Sequence, residues 1–463
     1  MKNLLRLAIL LFTTATFAQA GHIMQGVGAV NMSMGGASTA QPLDISGALQ
    51  WNPATISTFD NKIIDFNIGA FFSSPELSGS LPAGAMWQAD QYYPGQPASP
   101  AVSGITEDDR GVSPMPALAM VWGKEDSKHT FGASAFGISG FGVTFPLDNN
   151  SPVDGQGNPN PNFNPTINSN PINYAQAANG FGHLESDYML LQVGVAWAYE
   201  VTENFSIGVQ PTVNYATLEL APNPTASPNA NGYLVSDKAS AIGYGAQFGV
   251  FYNSPGGIKI GASYKTVQKF GDLKFENTDL VDGSTSENNF NMDYPAVLSL
   301  GLGYSTSLID LALDFRQVDY ENTQGFEEKG WTQTGSVAGF GWKNVQILSA
   351  GFQYKGIKKL PLRIGYTYSS NPIDDELAFF SAPATAILKQ AFQFGFSYPL
   401  TDKLMLSGVY HHAESGDKTE GEIMNPMLAS ASNPYGAIPG SKVGYKMTVD
   451  MITLGVSYSF AKK

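Results

Sequence analysis

The sequence predicts an all-β fold, a transmembrane antiparallel β-barrel of about fourteen strands with an N-terminal plug, or hatch, in its lumen. Three observations predict this fold. Segments with apolar residues at every second position recur along the chain, which is the period of a strand with two different faces. Charged residues make up only 14% of the sequence, and beyond the extreme N terminus no apolar run is long enough for a spanning helix. The segment before the first alternating strand lacks this period and is rich in small residues.

The last strand shows the alternation most clearly. One face carries Ile452, Leu454, Val456, Tyr458 and Phe460, and the other carries Thr453, Gly455, Ser457 and Ser459. Small polar residues in place of charges are typical of a strand between lipid and a crowded lumen. A terminal strand that closes on an aromatic residue resembles the C-terminal signal of bacterial outer-membrane barrels, from which the three-residue tail after Phe460 departs.

The first residues form a targeting segment. Lys2 and Arg6 give a positive start, a short apolar run follows, and Ala18-Gln19-Ala20 has the pattern of a cleavage site. We therefore expect a signal peptide at residues 1–20, with an uncleaved anchor as the alternative. The domains that follow are a hatch at 21–60 and a barrel with long extracellular loops at 61–463.

Fourteen segments with strand character can be counted along the chain. They cover residues 64–72, 117–122, 129–143, 191–199, 205–215, 242–252, 258–264, 298–304, 309–315, 348–354, 362–368, 392–398, 404–410 and 448–460. Short connections alternate with long loops, so one rim is short and the other elaborate. The long loops hold more apolar side chains than solvated loops need, among them Trp87, Tyr93 and Met427. These side chains either meet a hydrophobic ligand or partner, or pack the loops together.

The third strand, residues 129–143, breaks the alternation. Phe141 favours one face, whereas Phe136 and Ile138 favour the other. The strand also contains three closely spaced glycines, Gly137, Gly140 and Gly142. Glycine weakens a strand and makes a bulge or kink inexpensive there. The pattern predicts a defect in the barrel wall, and the alternative is a plain glycine-rich strand packed on the plug.

Charge and motifs exclude several classes of function. A net charge of -14 argues against nucleic-acid binding, and the lack of cysteine excludes thiolate nucleophiles and zinc-thiolate sites. No histidine has a metal-ligand spacing, and no G-x-S-x-G elbow or phosphate loop occurs, so we expect neither an enzyme nor a bound metal or cofactor. The pairs Asp108-Asp109 and Asp374-Asp375 are interpreted as solvated loop charges rather than calcium ligands.

A short motif lies ahead of the first strand. Asp44 is followed by Asn52-Pro53-Ala54, after a Met-Gly-Gly-Ala stretch. Together with export, fourteen strands and a glycine-interrupted third strand, this arrangement resembles the FadL-type outer-membrane transporters of long-chain fatty acids and other hydrophobic compounds. The resemblance covers essentially the whole mature chain and implies a location in the outer membrane of a Gram-negative bacterium.

The resemblance also implies roles for particular residues. It places Asp44, Asn52, Pro53 and Ala54 in the hatch, and it marks Gly137, Gly140 and Gly142 as a lateral opening into the bilayer. Candidates for ligand binding are Phe136, Ile138, Phe141, Arg316, Lys265 and Lys343. The three basic residues are candidates by strand parity or position alone, because no family motif matches them here.

The expected function is passive uptake of hydrophobic compounds, with long-chain fatty acids as the main cargo. Cargo is captured at the outer loops and leaves sideways through the kinked third strand. The expected partners are hydrophobic small molecules, either fatty acids or hydrocarbons, and outer-membrane lipid, with the barrel as a monomer. The alternative is a polar-solute porin or a surface adhesin on a barrel scaffold. A porin needs a charged constriction and no plug, whereas residues 21–60 have the character of a plug.

Overall fold

The computed structural model describes residues 21–91, 93–123, 127–154 and 158–460. Within them, 14 antiparallel strands close into one barrel, in which each strand pairs with its neighbours in chain order and the last pairs with the first. The predicted fold class and strand number are confirmed. The signal peptide predicted at 1–20 and the tail 461–463 lie outside the described residues.

The barrel strands extend beyond the predicted segments. Their bounds are β1 Ile63–Leu81, β2 Val112–Trp122, β3 His129–Phe145, β4 Leu184–Thr202, β5 Phe205–Ala221, β6 Ala239–Asn253, β7 Ile258–Lys265, β8 Ala296–Ser305, β9 Ile309–Asp319, β10 Val345–Tyr354, β11 Leu362–Ser369, β12 Gln390–Pro399, β13 Leu404–Glu414 and β14 Lys442–Ser459. The largest difference is at the end of β1, which stays paired with β14 up to Ser80 and Lys442. Toward the outer rim their outward face carries charge, such as the Glu76–Lys446 ion pair at 3.1 Å. The apolar alternation therefore ends before the strands do.

The strands expose apolar side chains on the outside and bury small polar ones in the lumen. On β8, Leu298, Leu300 and Leu302 are 43%, 48% and 53% exposed, whereas Ser299 is 2% exposed. This is the reverse of a soluble protein. It is the arrangement expected when lipid solvates the outer face of the barrel.

The long loops contain secondary structure of their own. Short strands lie at Val102–Glu107, Val235–Ser236, Lys269–Phe270, Leu273–Thr278, Thr285–Phe290 and Thr419–Gly421. Single turns of 3-10 helix lie at Pro171–Asn173, Gln176–Ala178 and Pro426–Leu428, and a longer one lies at Asp375–Ser381. The outer rim is therefore a folded cap rather than a set of extended loops.

The N-terminal segment lies inside the barrel and fits a plug. It contains α1 Gly28–Ser33, α2 Ile45–Trp51 and a 3-10 helix at Pro53–Thr58, and nearly all of residues 21–57 are buried. The 3-10 helix starts where the sequence indicates, because Asn52 Oδ1 accepts from the Ala54 amide at 3.1 Å and proline occupies the first helical position. In the described part of the chain, no helix combines the length and apolar character needed to cross a membrane.

Glycines of the wall let the plug backbone approach closely. At Gly208 the ideal Cβ position lies 2.5 Å from the Pro53 carbonyl carbon, and at Gly301 it lies 2.7 Å from the Ala40 nitrogen. No side chain fits in these spaces, so the contacts require glycine. We call the set of lumen-facing glycines that touch the plug the glycine seat: Gly132, Gly208, Gly249, Gly261, Gly301, Gly303, Gly351, Gly365, Gly395 and Gly455.

We expect Gly208→Ala to destabilise the protein by about 1–3 kcal/mol, because the added methyl group pushes the plug backbone away from the wall. Equilibrium urea unfolding in lipid vesicles measures this change. Gly271→Ala is the matched control, since its Cβ position has nothing within 4 Å. Equal losses of stability in the two variants would contradict the close seating of the plug.

Candidate functional site at a gap in the barrel wall

The wall has a gap between β2 and β3. These strands pair only through residues 117–122 and 131–136, although β2 pairs with β1 from Val112 onward and β3 pairs with β4 as far as Phe145. Their extracellular parts are therefore separated. A cavity of about 340 Å³ lies between them, a volume within the range of small-molecule sites, roughly 300–1,000 Å³.

The cavity extends from the outer surface of the barrel to the plug. Its outer lining includes Met189, Leu191 and Tyr215, which are 50%, 39% and 49% exposed on the lipid-facing surface. Its inner lining includes Gly21 and Tyr188, which are buried. Most of the lining is apolar. The arrangement joins the bilayer side of the wall to the interior.

Two prolines on β2 explain why its pairing with β3 stops. The Pro116 carbonyl oxygen lies 3.9 Å from the ideal Cβ position of Gly137 on β3, so Pro116 turns its backbone groups toward β3. Pro114, two residues earlier, has the same orientation, because backbone groups in a strand alternate in direction. Proline has no N–H, so β2 offers β3 no donor at either position. Its bonds to β1 come from the intervening residues.

β3 is irregular at the same level. Its register against β4 shifts between Gly137 and Ser139, which leaves Ile138 as the extra residue of a β-bulge. The broken alternation in the sequence of the third strand corresponds to this bulge. A bulge takes backbone groups out of the regular ladder, and these groups need other partners.

The N-terminal end of the plug supplies those partners. The Met24 amide donates to the Ile138 carbonyl at 3.0 Å. The His22 carbonyl accepts from Ser139 Oγ at 2.9 Å and from the Gly140 amide at 3.3 Å. The plug therefore covers the bulge from the lumen side.

The three glycines predicted as a lateral opening all line the cavity, but their surroundings differ. A Cβ atom on Gly137 meets only a methionine methyl group at 3.5 Å and a carbonyl oxygen at 3.9 Å, so there is room for a side chain. On Gly140 it lies 3.0 Å from the Tyr188 carbonyl oxygen. On Gly142 it falls on the Arg110 guanidinium. Glycine at position 142 therefore leaves the space that the Arg110 side chain occupies.

Arg110 crosses over β3 at the outer end of the cavity. Its guanidinium passes Gly142 and donates to the Ser186 carbonyl at 2.6 Å and to the Asp187 carboxylate, both on β4. Lys238 pairs with the same carboxylate at 2.5 Å. Among the described residues, Arg110 is the one basic side chain in the cavity lining, and Asp187 already neutralises its charge.

One of the predicted apolar ligand residues lies at the cavity. Phe141 lines it, and its ring stacks on Tyr188 with 4.9 Å between ring centroids. Phe136 and Ile138 are 1% and 0% exposed and pack in the core between wall and plug. They support the barrel wall beside the cavity and do not line the cavity itself.

Arg316 holds the plug in place. It pairs with Asp314 at 2.7 Å, and its guanidinium stacks over the Trp51 ring of α2 at 3.7 Å. The Asp314 carboxylate accepts from the amides of Ser38 and Thr39, each at 2.9 Å. This buried pair therefore bonds the wall to the plug.

The three predicted basic residues are not part of the cavity lining. Lys265 is buried in the lumen and donates to Gln192 at 3.0 Å. Lys343 lies in an outer loop, is 55% exposed and pairs with Asp374. Neither they nor Arg316 lines the cavity. Their role as ligand partners stays a prediction.

The residues predicted for the hatch lie in the plug. Asn52 Nδ2 donates to the Thr39 carbonyl at 2.8 Å and to the Val250 carbonyl of the wall at 3.0 Å. The motif Asn52-Pro53-Ala54 therefore ties two parts of the plug to β6. Asp44 occupies the position before α2, where the residue is half-buried and both carboxylate oxygens are buried.

A second apolar cluster lies in the outer loops. Trp331 packs edge-on against Phe380 at 4.9 Å beside a space of about 20 Å³. Of the apolar loop residues noted in the sequence, Trp87 is buried in loop packing, whereas Tyr93 and Met427 are 55% and 90% exposed. Loop packing accounts for part of the apolar surface, and the rest faces outward.

Sequence reasoning missed Arg110, Pro114 and Pro116. The two prolines had a readable signal, because they alternate within a segment of strand character and remove ladder donors on one side. Arg110 had none, since its acceptor Ser186 lies 76 residues away in the sequence.

The cavity suits binding rather than catalysis. Its polar side chains are hydroxyl groups and the paired Arg110. Across the described ranges of the chain, no three histidine, aspartate or glutamate side chains are placed to hold a metal ion. The geometry supports the passage of an apolar molecule through the wall.

Comparisons with known proteins give one family. The family model described as outer membrane protein transport protein (OMPP1/FadL/TodX) matches residues 172–460. Among solved structures, a Pseudomonas aeruginosa FadL homologue has a TM-score of 0.67 and 14% identity, over 96% of this chain and 100% of that chain. The P. putida toluene transporter TodX has a TM-score of 0.64 and 17% identity, over 95% and 100% of the two chains. The Ralstonia pickettii toluene transporter TbuX gives 0.59 and 15%, over 94% and 99%.

These structural likenesses, at such low identity, show the fold. They extend over the plug as well as the barrel, because they cover nearly the whole chain. No curated protein sequence matches the chain.

We expect Arg110→Ala to destabilise the protein by about 1–3 kcal/mol, because the half-buried Asp187 and the Ser186 carbonyl both lose a donor. Lys238→Ala is the matched control, since it removes a more exposed partner of the same carboxylate and is expected to cost less than about 1 kcal/mol. Urea unfolding in vesicles compares the two. An arginine variant as stable as the lysine variant would show that the crossing does not hold the wall.

Proposed function

Because the chain belongs to the OMPP1/FadL/TodX family of outer membrane transport proteins, we propose that hydrophobic compounds leave it sideways through the cavity between β2 and β3. Family membership makes the chain an outer-membrane channel for hydrophobic compounds and not an enzyme. The predicted family, location and class of function are confirmed with it. The route, the gate and the identity of the cargo are our proposals.

One observation carries the lateral route. The cavity is lined at one end by lipid-facing side chains such as Met189 and at the other by the buried Gly21 of the plug. An apolar molecule that leaves this cavity for the bilayer moves from one apolar environment into another. A path along the barrel axis meets the plug instead, which also argues against a polar-solute porin.

The N-terminal end of the plug is the proposed gate. Few hydrogen bonds hold residues 22–24 to the bulge, whereas the body of the plug is bonded separately through Asp314 and Asn52. The end can therefore detach while the body stays seated. No energy-coupling motif occurs in the sequence, so we propose that cargo binding drives the movement.

Long-chain fatty acids are the first proposed cargo. Burial of apolar surface contributes about 0.8 kcal/mol per CH₂ group, so a long acyl chain gains on the order of 10 kcal/mol before entropy is subtracted. This gain is enough to load the channel. The exposed apolar side chains of the outer loops, such as Met427, are the proposed place of first capture, and a single barrel suffices for the whole route.

Neutral aromatic hydrocarbons are the second candidate. The charge of Arg110 is already neutralised by Asp187, and the basic residues predicted as carboxylate partners lie elsewhere. This favours a cargo without charge. Two of the similar structures are toluene transporters.

We expect Gly137→Trp to reduce uptake of hydrophobic compounds to the level of cells that lack the protein. The cavity has room for a side chain at this position, so the indole ring fills the opening without displacing the plug. Uptake of radiolabelled oleate and toluene by cells expressing each variant measures the effect.

Leu313→Trp is the control for this experiment, because it adds similar bulk to a lipid-facing position of β9 that is 44% exposed. Both variants should insert into the outer membrane at the wild-type level. Undiminished uptake in the Gly137 variant would rule out the lateral route. Lipid extraction of the purified protein then identifies the co-bound cargo, and the absence of any apolar compound would count against both cargo proposals.

A further inference from the structure

Three buried polar atoms lie near the inner end of the cavity without a hydrogen-bond partner among the residues that the structure describes. They are His22 Nε2 and the hydroxyl oxygens of Tyr188 and Tyr294. The three side chains are 1%, 1% and 0% exposed. A buried polar atom without a partner is costly, so such a group indicates a ligand that completes it.

We propose that His22, Tyr188 and Tyr294 form a binding site for the oxygen-bearing head of an apolar compound, with a carboxylate as the best match. The tail of the compound lies in the cavity between β2 and β3. This inference rests on the proposed channel function and adds the place where the polar end of the cargo binds.

The three side chains are packed on one another at the edge of the cavity. The His22 ring meets the Tyr188 ring edge to face, with 5.7 Å between centroids, and meets the Tyr294 ring in the same way at 6.0 Å. Tyr188 lines the cavity, and so does Gly21, which precedes His22. A molecule in the cavity therefore borders the site directly.

The bonding of His22 Nδ1 makes Nε2 a hydrogen-bond donor, so that all three groups of the site can donate. The Tyr320 hydroxyl bonds to His22 Nδ1 at 2.9 Å, and the His22 amide donates to the same hydroxyl oxygen at 3.3 Å. We assign the Tyr320 hydroxyl, which accepts from the His22 amide, as the donor to Nδ1, and this assignment places the ring proton on Nε2. Burial lowers the pKa of His22 to about 3, so the imidazole is neutral and has a single N–H.

The charges around the site nearly balance. Arg316 interacts electrostatically with the Tyr294 hydroxyl, and Asp293 does so with the Tyr188 hydroxyl. Arg316 is paired with its own carboxylate, and Asp293 is paired with Lys269 at 2.6 Å. Hydrogen-bond donors rather than a net charge therefore select the head of the ligand.

Such a site discriminates between cargo classes. Three donors suit the several lone pairs of a carboxylate, and each bond to a charged acceptor is stronger than one to a neutral acceptor. An unsubstituted hydrocarbon leaves all three donors unpaired. A site built to hydrogen-bond a polar group disfavours the analogue that lacks it.

The test compares dodecanoate with dodecane as radiolabelled probes of the full-length protein in lipid nanodiscs. Tyr188→Phe and Tyr294→Phe each remove one hydroxyl and keep the ring. We expect dodecanoate affinity to fall about tenfold for each hydroxyl removed, as for the loss of one hydrogen bond to a charged group, with dodecane affinity unchanged. The ligand-free variants should unfold no more easily than the wild type, because a buried hydroxyl without a partner is removed.

Tyr445→Phe is the matched control. Its hydroxyl is buried but donates to the Ala378 carbonyl at 3.1 Å, so this variant should lose stability and keep its affinity for both probes. Unchanged dodecanoate affinity in the double variant Tyr188→Phe/Tyr294→Phe would overturn the head site while leaving the channel function intact. If the wild type bound neither probe, the head site and the channel function would both fail.

Discussion

A lipid bilayer offers the backbone no hydrogen-bond partners, so a sheet that crosses it has to close on itself. In this protein β1 and β14 complete that closure, and the ladder is open along the outer part of the β2 and β3 pair. The features at the opening all meet this constraint. Pro114 and Pro116 have no donors to leave unpaired, and the end of the plug bonds the groups of the bulge. The opening is therefore compatible with the bilayer, because its backbone groups either lack a donor or are bonded by the plug.

The buried charges follow the same logic, because a charge in the barrel interior needs a partner. Arg316 and Asp314 pair with each other and also bind the plug, while Arg110, just before β2, pairs with Asp187 of β4 across β3. In these two pairs, each arginine is already neutralised by a carboxylate. Neutral donors without a partner lie around His22, beside the cavity. Chemical selectivity in this channel therefore depends on hydrogen bonding within an apolar route.

The sequence predicted the barrel well, because a strand between lipid and lumen has to alternate and fourteen segments did so. It also indicated the plug and the irregular third strand, since Asn52-Pro53-Ala54 and the spacing of Gly137, Gly140 and Gly142 are local signals. It could not predict partners brought together by closure. Whether Arg316 meets a ligand or Asp314, and whether Gly142 opens the wall or makes way for Arg110, depends on contacts between distant strands. Periodicity shows which face of a strand a side chain is on, but it does not show which residue of another strand that side chain contacts.

The glycine seat also bears on how the protein is assembled. Wall and plug backbones touch at Gly208 and Gly301 with no side chain between them, and Asn52 bonds across the same junction. A finished cylinder has no clearance through which a folded plug could slide into this position. We therefore expect the N-terminal segment to be in place before β1 and β14 complete the barrel.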